Sequence, residues 1–299
     1  MIHYNATMPF KHLIKDYNEL TKPGITRMQL ITVSIGFILG GVGLKHGMLL
    51  YIPLLIGTYC VAAGAGALNH AVEKEFDSQM DRTRSRPLPR QSVNRLSVFL
   101  FGIGLVGLGA AIHFIWINPL TAGLSATTVF LYICVYTPLK RVTWVNTFVG
   151  AIPGAMPILG GWSAGTGTLH SGAWVLFAIM FAWQIPHFYA LALMYETDYK
   201  SGGMVMLPGV EDGHNRTYRQ IIIYTVLLYI TSIMPVFIGL SGPLYLFGMT
   251  VLGIMMTVAA LRLIRRKDLK SARVLFFASI IYLPMWFGLV ILDFFLTIA

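Results

Sequence analysis

Charge is scarce in this chain. Only 11% of its 299 residues are Asp, Glu, Lys or Arg, against 56% that are hydrophobic, where a soluble domain carries about 25% charged residues. A surface that poor in charge is not built to meet water over most of its area. Cysteine is scarcer still: Cys60 and Cys134 both lie in apolar runs without metal-type spacing and read as small buried hydrophobes. The first 25 residues hold no apolar core, and Asp16 and Glu19 stand among Lys11, Lys15 and Lys22, which excludes a secretory signal and an Arg- and Ser-rich transit peptide. Also missing is the ten-residue alternation of barrel strands, and no Ser/His/Asp or Cys/His set suggests a covalent nucleophile.

What is present is long apolar sequence. A helix needs about 20 apolar residues to cross a hydrocarbon core roughly 30 Å thick, and in lipid only a helix or a closed barrel satisfies its own backbone. Nine such segments run at approximately 27–44, 48–72, 96–116, 120–136, 144–163, 172–195, 220–240, 243–261 and 274–298. Tight turns at Asn118-Pro119 and Ser241-Gly242-Pro243 separate two of the pairs. The expected fold is therefore all-α: a polytopic bundle of nine transmembrane helices in one membrane-embedded domain over 1–299. Residues 1–26 form its N-terminal arm.

Orientation follows from the basic residues, which accumulate on cytoplasmic loops. With the N-terminus inside, every lysine and arginine except Lys45 falls on one face. The reading is N-terminus cytoplasmic, C-terminus outside, in a bacterial inner membrane. Topology and anionic headgroups account for the formal net charge of +10 without any nucleic acid.

Topology does not account for the acids. Of 12, four (Glu73, Glu75, Asp77, Asp81) follow the second segment and four (Glu196, Asp198, Glu211, Asp212) follow the sixth, on the same membrane face. This makes 73–95 and 196–219 candidate active-site loops. Asn69, Glu73, Asp77 and Asp81 recur every fourth residue, a gently turning stripe about 18 Å long on one helix face. A frayed helix end with a solvated charged face is the plain alternative. Against it, four oxygen-bearing side chains in one stripe repel one another unless a cation lies among them, and carboxylates with an amide suit Mg²⁺. Arg82, Arg84, Arg86 and Arg90 come next, with Pro87 and Pro89 expected to stop the helix. Such a run is ordinary cytoplasmic-loop sequence in isolation, but beside a metal stripe it reads as a diphosphate clamp. Asp198 and Lys200 offer a second metal ligand and a second cation.

The stretch Asn69-x3-Glu73-x3-Asp77-x2-Met80-x-Arg82-Thr83-x2-Arg86-Pro87-Leu88 resembles the first signature of the UbiA-type intramembrane prenyltransferases, and most closely that of the protohaem IX farnesyltransferases among them. Thr21-Lys22-Pro23-Gly24-Ile25-Thr26 and Tyr136-Thr137-Pro138-Leu139-Lys140-Arg141, with Asn146, Gly150, Pro153 and Trp162, are similar to further stretches of that family. So are Trp183-Gln184-Ile185-Pro186-His187-Phe188, Asp198-Tyr199 and Met206-Leu207-Pro208. Where the wider superfamily has a second acid four residues before Asp198, this chain has Met194.

The resemblance implies a farnesyl transfer from farnesyl diphosphate to a vinyl group of haem b, with water capture giving haem O. It implies Mg²⁺ held by Asn69, Asp77 and Asp198, with Glu73 and Asp81 in the same stripe, and diphosphate contacts from Arg82, Arg86, Lys140, Arg141 and Lys200. His187, Tyr136, Asn146, Trp183, Tyr195 and Tyr199 are the expected haem or prenyl contacts. The bilayer, farnesyl diphosphate and haem b are the implied partners, and a haem A synthase or terminal oxidase is the neighbour such a product admits. A sister prenyltransferase acting on an aromatic or quinone precursor is the nearest rival. A secondary transporter is the rival from another class, although transporters place polar groups near the midplane on broken helices.

Overall fold

The computed structural model of the chain describes residues 10–41 and 44–298, with backbone only at 44–46, 48, 297 and 298. Lys45, the one basic residue expected on the opposite face, thus has its side chain outside the description. All regular elements among the described residues are helical. In chain order they are α1 (Phe10–Leu20), α2 (Pro23–Leu39), α3 (Leu44–Asp77), α4 (Arg95–Ile112), α5 (Pro119–Phe130), α6 (Thr137–Leu139), α7 (Asn146–Thr166), α8 (Ser171–Met194), α9 (Glu196–Ser201), α10 (Leu207–Val210), α11 (Asn215–Phe237), α12 (Pro243–Arg266) and α13 (Leu269–Ile298). Wider π-helical turns extend α4 over His113–Ile117 and α5 over Leu131–Tyr136.

The apolar segments fall largely on long helices, the first of them on α2, which ends at Leu39. Among the described residues seven helices are long and apolar enough to cross a membrane. Two further apolar helices are α2, at 17 residues, and α7, which runs unbroken with Pro153 and Pro157 inside it. Local signals set the ends. Asn118 caps Thr121 N at 2.8 Å with Pro119 in the first turn, and Gly167, at φ 72, closes α7. Gly242 N binds Asp293 Oδ2 at 2.7 Å where α12 begins.

Helices approach closely where glycine removes the side chain, as membrane packing favours. A Cβ on Gly36 would lie 2.1 Å from Ile158 O, and one on Gly161 1.9 Å from Val33 O, so α2 and α7 touch backbone to backbone. Gly64 and Gly102 do the same for α3 and α4. Apolar side chains such as Leu100, Phe247 and Phe295 cover the outside, as a lipid-facing surface requires.

The basic segments all meet at one end of the bundle. Asp16 of α1 pairs with Arg90, Glu73 with Lys140, Arg216 lies over Trp144 and Lys267 over Tyr218. The arm and the connections after α3, α5, α8 and α12 therefore form a single cationic rim.

One boundary differs from expectation. The helix carrying the acidic stripe ends at Asp77, ten residues before Pro87. Ser78 Oγ donates to Glu75 O at 2.6 Å and Thr83 Oγ1 to Asp77 O at 2.8 Å. Hydroxyls thus take the carbonyls a further turn would have used. Asn69, Glu73 and Asp77 stay on one helix face, and Asp81 falls in the turn beyond.

Candidate active site

A cavity of about 320 Å³ opens at the cationic rim and runs down between α2, α3, α5, α7 and α8. Its α3 wall reaches from Asp77 to Leu54, about 35 Å along the helix axis. The mouth is charged, with Lys22, Glu73, Asp77, Arg82, Arg86 and Lys140 on its wall. Below it Ala62, Ala65 and Gly66 keep the α3 wall low, and Val61, Leu124, Val129 and Met156 make an apolar shaft.

The three helical members of the stripe are almost fully buried, at 0% for Asn69, 5% for Glu73 and 1% for Asp77. Each is held by a cation. Lys22 Nζ donates to Asn69 Oδ1, whose Nδ2 donates to Thr137 Oγ1 at 3.2 Å. Lys140 Nζ donates to Glu73 Oε1 at 2.6 Å. Arg86 Nη1 donates to both Asp77 oxygens at 2.9 Å, and His70 Nδ1 stands 3.7 Å from Oδ2. Burial pushes the Lys22 ammonium down to about 7. Burial also works against the charge on Lys140, but Glu73, Tyr136 and Tyr132 hold that ammonium above the ordinary lysine range.

Aromatic faces line the rim. Arg82 lies 4.9 Å from the Tyr195 ring and 5.4 Å from that of Tyr199, and Lys140 lies 4.5 Å from Tyr136. Gly150 makes room for Tyr136, since a Cβ there would meet its ring at 2.4 Å. Asn146 is buried and donates to Thr143 O at 2.6 Å and Val205 O at 2.7 Å. It thereby ties the start of α7 to the 204–206 stretch that lines the cavity.

Other expected residues stand outside the cavity wall. Asp81 is 80% exposed and pairs with Arg84 at 3.2 Å. Arg141 lies over Phe76 at 4.0 Å, and Lys200 pairs with Glu196 at 2.7 Å. Asp198 sits in α9, one residue before the cavity-lining Tyr199. Trp183 Nε1 donates to Ser279 O at 2.8 Å, and His187 stacks between Trp183 and Phe276, each ring 4.9 Å away. Ser279 Oγ donates to Phe276 O at 2.6 Å, so it accepts from His187 Nδ1 at 2.7 Å, which fixes the tautomer with the proton on Nδ1.

Among the wall residues that were not expected at the site, three have polar groups of note. Lys22 turns into the mouth from a left-handed backbone (φ 48) just before Pro23; the Lys-Pro-Gly sequence at a helix start was its only signal. His113 reaches the deep end, with Nε2 on Leu54 O at 3.2 Å and Nδ1 on Ser125 Oγ at 2.8 Å. Gln184 fills the space over Gly154 and donates to Ala151 O at 3.0 Å and Met180 O at 3.1 Å.

The donor set fits Mg²⁺. Two carboxylates and an amide oxygen on successive turns of α3 are hard oxygen ligands, and Mg²⁺ ordinarily takes one or two carboxylates and completes its shell with water and substrate phosphates. The cationic surround with arginine forks suits a diphosphate.

Comparison with known proteins identifies the family and the fold. Residues 29–283 match the model of the UbiA prenyltransferase family. A protoheme IX farnesyltransferase of Solibacter usitatus is 41% identical over 94% of this chain and 99% of its own length. One of Flavobacterium psychrophilum is 40% identical over 98% of both. Among solved structures, a digeranylgeranylglyceryl phosphate synthase superposes with a TM-score of 0.76 at 18% identity, covering 94% of this chain and 98% of its own. A UbiA homologue of Archaeoglobus fulgidus bound to DMAPP and Mg²⁺ superposes with a TM-score of 0.66 at 16% identity, covering 92% and 99%. Those two likenesses show the fold, while the sequence relatives show the kinship: the chain is a prenyltransferase of the UbiA family and stands with its protoheme IX farnesyltransferases.

Proposed function

We propose that this prenyltransferase moves a farnesyl group from farnesyl diphosphate to a vinyl group of haem b, with water captured on the adjoining carbon to give haem O. One observation carries the reading: buried carboxylates and four cations converge at the mouth of a long apolar shaft. A prenyl diphosphate has the same division, an anionic head that needs water and cations, and a chain that needs lipid. Relatives named protoheme IX farnesyltransferase over nearly the whole length support the haem acceptor.

In this reading Asn69, Glu73 and Asp77 would hold Mg²⁺, with Asp198 of α9 and Asp81 of the outer turn as the further acids of the set. When bound, Mg²⁺ would neutralise charge on the departing diphosphate. Arg82, Arg86, Lys140 and Lys22 supply preorganised donors to its oxygens, and Arg141 and Lys200 extend the positive field outward. Ionisation of the allylic C–O bond leaves the electron pair on the diphosphate and a cation on the chain. Tyr136 and Tyr199 present ring faces to it at the cavity wall. The haem vinyl carbon then bonds to the farnesyl carbon, and water adds to the resulting cation with loss of a proton. Trp183, His187, Tyr195 and Asn146 belong to the haem-side wall or its support.

The site faces the cytoplasm in a bacterial inner membrane, with all of 1–299 as one catalytic unit. A haem A synthase or terminal oxidase would take the product. Purified protein in lipid nanodiscs is expected to convert haem b and farnesyl diphosphate to farnesylated haem, detected by mass spectrometry, with activity lost in EDTA and restored by Mg²⁺. Turnover of an aromatic acceptor but not of haem would reject this assignment.

A further inference from the structure

The carboxylates assigned to the metal are already occupied. Glu73 is taken by Lys140, and both Asp77 oxygens accept from Arg86 Nη1. Among the described residues no three or more His, Cys, Asp or Glu stand together as a metal cluster. A divalent ion arriving by itself meets Lys140 on Glu73 Oε1 and Arg86 on both Asp77 oxygens, and to take those oxygens it would have to displace both cations. Lys140, at 12% side-chain exposure, and Arg86, at 26%, would then be left as unpaired, largely buried cations, the costly outcome of breaking a buried ion pair.

A diphosphate removes that cost. Its oxygens accept from the same guanidinium fork and the same ammonium, with geometry a carboxylate only imitates. Lys140 also keeps a second contact when Glu73 is given up, because its ammonium lies over the Tyr136 ring. The converse holds as well: a diphosphate arriving without a metal finds its cations engaged and two carboxylates facing it.

Resting on the diphosphate reading above, we propose that the mouth binds by exchange of partners: Lys140 and Arg86 guard Glu73 and Asp77 against a lone divalent cation and release them only to a diphosphate. Metal and diphosphate then bind with positive, reciprocal coupling. The resting pairs also keep the carboxylates in place and neutralised while the cavity lacks substrate.

The test uses the full chain in nanodiscs, Mn²⁺ as the spin probe for the metal and inorganic pyrophosphate as the head group, with correction for Mn²⁺–pyrophosphate in solution. Wild type is expected to bind Mn²⁺ at least about tenfold more tightly with pyrophosphate than without, within the usual span of coupling between sites. Lys140→Met is expected to bind Mn²⁺ alone about tenfold more tightly than wild type and to lose most of the coupling. Should that variant not fold, Arg86→Met carries the same expectation. Equal Mn²⁺ affinity with and without pyrophosphate overturns the exchange. So does a folded Lys140→Met that binds Mn²⁺ alone no better than wild type. Absence of Mn²⁺ binding even with pyrophosphate overturns the diphosphate reading itself.

Discussion

Asp77 is the residue in which fold and chemistry meet. Its carbonyl takes the Thr83 hydroxyl that ends α3, and its carboxylate takes Arg86 in two bonds at 2.9 Å. Asp77→Asn keeps the shape and the carbonyl contact but removes the charge. Turnover is expected to fall at least about 100-fold while size-exclusion behaviour is unchanged; a fully active variant would remove Asp77 from the metal set. Two glycines of α7 make a contrasting pair. A Cβ on Gly154 would sit 1.8 Å from Gln184 Oε1, whose amide is bonded twice, so Gly154→Ala is expected to cost about 1–3 kcal/mol of stability by overpacking. Gly160 lines the cavity with nothing within 4 Å of its Cβ position. Gly160→Leu is therefore expected to fold normally yet shift preference from farnesyl to geranyl diphosphate, read as a ratio of kcat/KM. At this scale the sequence was most legible where spacing alone carries information. Asn69, Glu73 and Asp77 share a face because four residues make about one helical turn. Lys22 was not legible, since its partner Asn69 lies 47 positions away and is reached through a left-handed turn.

The element with the least obvious purpose is α1. It packs beside α3 and leaves Phe10 76%, Leu13 37% and Ile14 55% exposed on one side, the pattern of a helix lying in the membrane interface. From its other side Asp16, only 2% exposed, reaches the connection after α3, accepting from Arg90 Nη2 and from Ser92 Oγ at 2.5 Å. That connection also carries Arg82 and Arg86, so α1 braces the cationic half of the mouth. Asp16→Ala is expected to destabilise by about 1–2 kcal/mol. This is less than for a fully enclosed pair because the Arg90 side chain is 41% exposed. The 78–94 connection should become more susceptible to limited proteolysis, and an unchanged digestion pattern would show that α1 does not brace it. The sequence pointed to the cores of the long helices through hydropathy and to the ends at Asn118-Pro119 and Gly242-Pro243, but missed other ends. The early stop at Asp77 is made by two hydroxyls, and the π-helical turn that brings Tyr136 to the cavity depends on packing against Gly150. Neither leaves a periodic mark.

At the scale of the whole molecule, distribution of charge was the clearest signal and packing the least. Alternate connections are basic, and in the fold these connections touch, from Asp16–Arg90 through Glu73–Lys140 to Lys267 over Tyr218. The convergence of the arm with loops far apart in sequence was implied by topology, whereas the shaft between them needed the close contact of α2 with α7 and of α3 with α4. A bundle whose described cations gather at one end is expected to thread with that end on the side that retains positive charge. Single cysteines put this to the test in a background where Cys60 and Cys134 are replaced. Ser201→Cys and Asp268→Cys lie in the cationic rim, and Thr168→Cys lies in the exposed turn between α7 and α8 at the other end. In intact cells a membrane-impermeant maleimide is expected to label only position 168, while permeabilised cells should give labelling at all three. Labelling of 201 or 268 in intact cells would turn the bundle over and place the diphosphate mouth away from the cytoplasm. The site would then be cut off from a soluble prenyl diphosphate pool, and with it would go the physical reason for building the charged mouth at that end.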